Sequence, residues 1–138
     1  MKKPICALLL LLMLPFGMAH AAEFKLTGRT TWQLGQLMVN GLPFVIDDQT
    51  RFKDWLNEDD LGGTWVDLEG VVLDGVRYVR EVEAIDEADE MELEGPVERG
   101  RIWGYTTSDN SLAPFEGRWL ELECKFDGMR LSRCRQDD

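Results

Sequence analysis

GTWVDLEGVVLDGVRYVREVE, residues 63–83, is the stretch that decides the fold, because a shortened echo of it, GRWLELECKFDGMRLSRCR, returns at residues 117–135. Self-similarity within one chain is architectural information. In both copies a Gly-x-Trp opens a strand, apolar residues alternate with Asp or Glu, and Asp-Gly (Asp74-Gly75, Asp127-Gly128) turns the chain back. Val66, Leu68, Gly70 and Val72 fall in one phase and Asp67 and Glu69 in the other; Leu120, Leu122, Cys124 and Phe126 oppose Glu121 and Glu123 in the same way. A period of two with one apolar phase marks a strand with one buried face. Asp-Gly between such runs marks a tight hairpin, since both central residues of the favoured turn need positive φ. Each copy is therefore expected to be a β-hairpin.

The rest of the chain extends this pattern in both directions. Phe24–Trp32 alternates around a central glycine and reads as a first strand, bent as in small barrels. Gln36–Val39 and Leu42–Asp47 flank Asn40-Gly41, a second hairpin signal. Thr50–Leu61 loses the alternation, spaces Phe52, Trp55 and Leu56 by three and one, and ends at Gly62-Gly63, which predicts a short helix with a glycine stop. Three strands, a helix and a hairpin is the element order of an OB-type barrel. The acidic run Asp86–Glu94 marks a boundary, after which Met91, Leu93 and Gly95 repeat the spacing of Phe24, Leu26 and Gly28. Gly95 lies nearer to Gly117 than Gly28 does to Gly63, so the second copy is shortened. Arg101–Thr106 is a strand candidate, and the turn-rich Thr107–Pro114 stands where the first copy carries its helix.

The expected organisation is thus all-β: a signal peptide over residues 1–21, a small OB-like Greek-key barrel of five strands and a short helix over 22–86, an acidic join at 87–94, and a truncated β repeat with a disulfide hairpin over 95–138. The signal peptide is read from Lys2-Lys3, the apolar run Ile5–Phe16 and the Ala19-His20-Ala21 cleavage signal. The apolar run is too short to span a bilayer, so no transmembrane segment is expected and the mature protein should be periplasmic or secreted. Losing residues 1–21 removes Lys2, Lys3 and no acidic residue, so the net charge moves from −11 to −13. Such a field opposes nucleic-acid binding and favours cationic partners, although acidity also serves solubility.

One frame of residues carries a family resemblance. Gly28, then Val39-Asn40-Gly41, then Asp47 or Asp48, Thr50 and Phe52, then Asp60-Leu61-x-Gly63-x-Trp65-Val66-x-Leu68-Glu69-Gly70 followed by Asp74-Gly75 and a basic residue, resembles the exported bacterial family catalogued as domain of unknown function 5666. The likeness covers about residues 24–85 and rests on glycines and turns. It implies an OB-type barrel, sometimes in tandem, and carries no catalytic or binding residue onto this chain.

The chemistry is mostly set by what the mature chain lacks. Its sole histidine, His20, lies in the expected signal peptide, which removes the usual general base and the commonest transition-metal ligand. No catalytic residue, metal ligand or cofactor is assigned. A calcium loop would need D-x-[DN]-x-[DN]-G, and neither the acidic cluster from Asp54 to Asp60 nor the run Asp86–Glu94 has it. Asp86, Glu87, Asp89, Glu90 and Glu92 form the candidate electrostatic binding surface, with a cationic protein or peptide as the fitting partner. Trp65 and Trp119 share a repeat position in phase with the carboxylates and are candidate exposed aromatics, able to pack structurally or to stack a base or sugar. The functional expectation is a non-enzymatic binding or envelope-maintenance protein; the alternatives are a periplasmic inhibitor or immunity protein facing a basic enzyme, and a carboxylate-pair glycan hydrolase.

Cys124 and Cys134 are the two cysteines left after cleavage, and an exported chain pairs them. The small loop they close contributes about 2.5–3 kcal/mol in the chain-entropy picture. A two-residue turn at Asp127-Gly128 would set Cys124 opposite Leu131, so the bond demands a bulge or a wider loop. Mass spectrometry of the exported protein after alkylation without reductant is expected to find no free thiol; two labelled cysteines per chain would refute the pairing.

Overall fold

The computed structural model describes residues 22–53 and 55–137; the expected signal peptide lies outside them. Ten strands are formed: β1 (Ala22–Gln33), β2 (Gln36–Val39), β3 (Leu42–Phe44), β4 (Arg51–Phe52), β5 (Trp65–Leu73), β6 (Val76–Ala84), β7 (Glu90–Glu98), β8 (Arg101–Ile102), β9 (Trp119–Phe126) and β10 (Leu131–Gln136). One sheet runs β10-β9-β7-β1-β5-β6-β4, with β2 on β1, β3 on β2 and β8 on β7. All pairings are antiparallel except that of β4 with β6.

Outward from the central β1/β7 pair the order is the same in both directions, and the likeness reaches single residues. Leu26 pairs with Leu68 and Gly28 with Val66 in the first half; Leu93 pairs with Leu122 and Gly95 with Leu120 in the second. The Gly63 N–H donates to the Thr30 carbonyl at 2.6 Å, as the Gly117 N–H does to the Val97 carbonyl at 2.8 Å. Each half is also turned back on itself by an isolated parallel bridge, Val45 to Tyr78 and Thr107 to Leu131. The repeat visible in the sequence is therefore a repeat of hydrogen-bond pattern.

Turn chemistry explains why the strands stop where they do. Asn40-Gly41 and Asp74-Gly75 both have two positive φ values, 53° and 78°, and 51° and 77°, the tight turn whose twist matches the flanking strands. Leu34-Gly35, Arg99-Gly100 and Trp103-Gly104 adopt the same conformation without the Asn or Asp that announces it. Arg101–Thr106 is consequently not one strand: β8 ends at Ile102, the chain turns at Trp103-Gly104, and Tyr105 comes back to bond Ile102.

The apolar phase of every long strand lies on one side and forms one continuous core. Phe24 and Leu26 of β1, Val66 and Leu68 of β5, Met91 and Leu93 of β7, and Leu122 and Cys124 of β9 are each at most 1% exposed. The two halves share this core rather than building two. Trp103 is its wedge, since its ring packs on Phe24 at 5.6 Å and Phe44 at 6.1 Å, both in the first half. Gly95 makes room for it: a Cβ there would stand 2.4 Å from the Trp103 ring.

The short helix expected over Thr50–Leu61 is replaced by the two-residue strand β4 and a single 3₁₀ turn, Glu58–Asp60, among the described residues. The backbone finds other partners, because β4 lies parallel to β6 and the Lys53 N–H donates to the Val82 carbonyl. Asn57 and Asp60 cap each other reciprocally and close only one turn. Trp55, which helical spacing would have buried, is 69% exposed. A second 3₁₀ turn, Ala113–Phe115, occupies the equivalent place in the second half. Of the acidic join at 87–94, the residues from Glu90 on belong to strand β7, inside the sheet.

The disulfide hairpin combines both solutions that its register requires. Residues 127–130 form a loop closed by the Asp127 N–H to the Arg130 carbonyl, and Asp127 Oδ1 accepts from the Met129 and Arg130 amides. A bulge then sets Arg133 and Cys134 against Cys124, between the pairs Lys125–Ser132 and Glu123–Arg135. This joins Cys124 to Cys134. Gly95→Ala is expected to lower the unfolding free energy by about 1–3 kcal/mol, the usual cost of overpacking, read as a lower urea midpoint with unchanged slope; an unchanged midpoint would remove Trp103 from its place over Gly95.

Candidate functional site

The outward phase of the same strands carries the charges, and the register lines them up. Glu121 of β9 pairs with Glu94 of β7, Glu94 with Lys25 of β1, Lys25 with Glu69 of β5, Glu69 with Glu81 of β6, and Glu81 with Arg51 of β4. Six charged side chains thus form one row across six strands. Lys25 sits inside it, with its Nζ 3.0 Å from Glu121 and 3.8 Å from Glu69. Arg51 and Lys53 close on Glu81 at 3.4 and 3.6 Å, and Lys53 reaches Glu83 at 3.3 Å. Exposed pairs of this kind are each worth about 0–1 kcal/mol, so the row is better described as a field than as a staple.

Like charges stand directly opposite one another twice in that row, at Glu94/Glu121 and Glu69/Glu81, which is unfavourable for a sheet. Facing Glu81 across the ladder raises Glu69 above the usual carboxylate range, while Glu81 is lowered, by Glu69 first and by Lys53 and Arg51 after it. Glu94 is raised by burial first and by the charges of Glu121 and Glu23 next. Lys25 is raised, chiefly by its hydrogen bond to Glu121. Thr27 donates to Asp67 at 2.6 Å and holds a further carboxylate on the same face.

A groove of about 450 Å³ runs beside the row, over β1, β5 and β6 and under the loop 85–89. Seven carboxylates line it (Asp67, Glu69, Glu81, Glu83, Asp86, Glu90, Glu92) against two ammonium groups, Lys25 and Lys53. Of the five sequence candidates, Asp86, Glu90 and Glu92 reach this groove, whereas Glu87 and Asp89 are exposed on the loop outside its lining. Glu90 is engaged by Lys125 of β9. Glu92, Glu123 and Asp137 bring carboxylate oxygens within 4.8 Å of one another, with Arg135 bonded to Glu123. In the acidic segment 55–60, Asn57 and Asp60 are spent on the 3₁₀ cap, and Asp54 lies outside the described residues.

The two candidate aromatics sit at opposite ends of this face. Trp65 begins β5 opposite Arg29, half-buried, with its ring edge-on to Phe126 at 5.8 Å. Trp119 begins β9, 40% exposed, edge-on to Trp103 at 6.0 Å, and its indole N–H donates to the Glu23 carbonyl at 2.9 Å. Lys25, Arg51, Glu69, Glu81, Glu94 and Glu121 are the members that sequence reading left out. Their outward phase was visible, but their row exists only through the register of strands far apart in the chain.

No helix among the described residues is long and apolar enough to cross a membrane. Compared with protein-family models, characterised proteins and solved structures, the chain matches none.

Glu94 supplies the test of this electrostatic picture. Its raised folded value means that the ionised form is disfavoured in the native state, so its contribution is present below the unfolded value and lost as pH rises through the folded one. Glu94→Gln is therefore expected to raise the Tm at pH 7 relative to the parent and to leave it unchanged at about pH 3, below the carboxylate range. An equal gain at both pH values would trace the effect to packing.

Proposed function

We propose that this chain is an exported, non-catalytic binding module that presents the outer face of its sheet to a cationic protein or peptide, in a binding or envelope-maintenance role. One observation carries the reading: strand register gathers seven carboxylates around one groove with only two cations among them. Ions of one sign lining a concave surface focus their field, which draws in and orients a partner of opposite sign. Of the groove's carboxylates Asp67, Asp86 and Glu92 make no ion pair within 4 Å among the described residues, nor does Glu94, next to Glu92 on the outward phase of β7, and Glu92 and Glu94 together are offered to a partner's ammonium or guanidinium groups.

We also read each half as a small OB-like unit. Support comes from the first half's pairings, β3 on β2, β2 on β1, β1 on β5 and β5 on β6, with the parallel bridge Val45–Tyr78 joining the segment after β3 to β6. The second half repeats them in shortened form. The likeness of residues 24–85 to the exported family, and periplasmic or secreted placement, belong to the same proposal; the amino-terminal Lys2-Lys3 and apolar run support the latter.

The test uses a lysine octapeptide and stopped-flow mixing. Association with the parent is expected to slow severalfold as salt rises from about 0.02 to 0.2 M, as the screening length shrinks toward about 7 Å. Glu92→Gln/Glu94→Gln should show a slower association at low salt while its circular-dichroism spectrum stays native. No detectable association at low salt, or one that is insensitive to these two carboxylates, would sink the proposal.

A further inference from the structure

A second cavity, of about 450 Å³, opens where the two halves meet, at the Trp65 end of the sheet. Its wall is aromatic: Phe126 stands at the centre, edge-on to Trp65 at 5.8 Å and to Tyr105 at 5.6 Å. Its rim is polar, with Arg29, Asn40 and Glu87 all exposed. Arg29 and Asn40 come from the first half, Tyr105 and Phe126 from the second, so the cavity exists only in the docked chain. The volume is within the range of about 300–1,000 Å³ that small-molecule sites occupy.

The chemistry of the lining selects among ligands. Arg29 uses its Nε on the Gly63 carbonyl at 3.2 Å and keeps its terminal guanidinium N–H groups. Asn40 spends its Nδ2 on the Trp103 carbonyl at 2.9 Å and keeps an amide oxygen. Glu87 makes no ion pair among the described residues and offers acceptors only. A purely apolar ligand would leave these donors and acceptors unpaired, which is costly once they are covered. A nucleotide is anionic and would meet the field of a strongly acidic chain without the basic groove that such ligands require. A neutral ring with one apolar face and a circumference of hydroxyls satisfies the aromatic wall, the donor and both acceptors together.

We propose that this inter-half cavity binds a neutral saccharide, with one pyranose face against Trp65 and its hydroxyls on Arg29, Asn40 and Glu87. The proposal is independent of the cationic partner, since it uses a different end of the face and different residues. The groups that give it specificity are exposed, so they can be altered without cutting into the core.

The test is a titration of the intact exported chain with cellobiose, maltose and diacetylchitobiose, each to about 20 mM, far enough above 1 mM to fill a site of about 4 kcal/mol. The readout is the indole N–H resonance of Trp65, assigned by Trp65→Phe. At least one sugar is expected to shift it saturably, and Arg29→Met/Glu87→Gln to weaken that binding at least tenfold while the amide spectrum stays native. Absence of a saturable Trp65 shift with all three sugars would overturn the proposal. So would a shift unchanged in the double variant, or one produced equally by the lysine octapeptide.

Discussion

The seam between β1 and β7 is the constraint on which the rest of the molecule depends. Two half-molecules with the same strand pattern are joined there, yet the ladder supplies a single residue pair, Lys25 with Glu94. Backbone carbonyls at and beside that pair would be left without partners, and buried orphans are costly. Three aromatic side chains of the second half take them: Trp119 Nε1 donates to Glu23, Trp103 Nε1 to Glu94 and the Tyr105 hydroxyl to Thr27, all at 2.8–2.9 Å. Polar tips therefore close the sheet while the rings that carry them fill the core, a dual use to which Trp and Tyr are suited.

Several local strains make sense once the seam is seen. Trp103 has φ of 49°, an outlying conformation for a bulky residue, and Gly104 beside it lies so close to Asn40 that a Cβ would meet it at 2.7 Å. That turn aims the indole across the seam, where Arg77 of β6 lies over both the Phe44 and Trp103 rings at 5.5 Å. Burial lowers the Arg77 pKa and pushes the Tyr105 hydroxyl up to about 12. The interior thus binds the halves through aromatic contact and side-chain donors rather than through a long ladder. The outer face is left free to collect charge.

Charge on that face shows the same division between local pattern and distant pairing. Each strand obeys a local rule, apolar inward and acidic outward, which suits solubility. Bringing six such strands together places Glu beside Glu, because register is chosen by the core and by the turns. The molecule softens the result with Lys25, Arg51 and Lys53. A net negative groove remains.

Sequence alone determined what depends on near neighbours: strand phase, the Asn40-Gly41 and Asp74-Gly75 turns, the internal repeat, and the need for a bulge or a wider loop once Cys124 and Cys134 pair. These are legible because a period of two and a positive-φ dipeptide act within a few residues. Tertiary structure alone decided the single 3₁₀ turn at 58–60 in place of a helix over 50–61, because the backbone of Arg51–Lys53 takes its partners from β6 instead of from its own next turn. It also decided the turn hidden at Trp103-Gly104, whose residue is there for its ring and not for its φ. The charge row and the inter-half cavity are likewise products of pairing between residues up to 96 positions apart, such as Lys25 and Glu121. Long-range register is fixed by packing the shared core, and a single sequence does not display it.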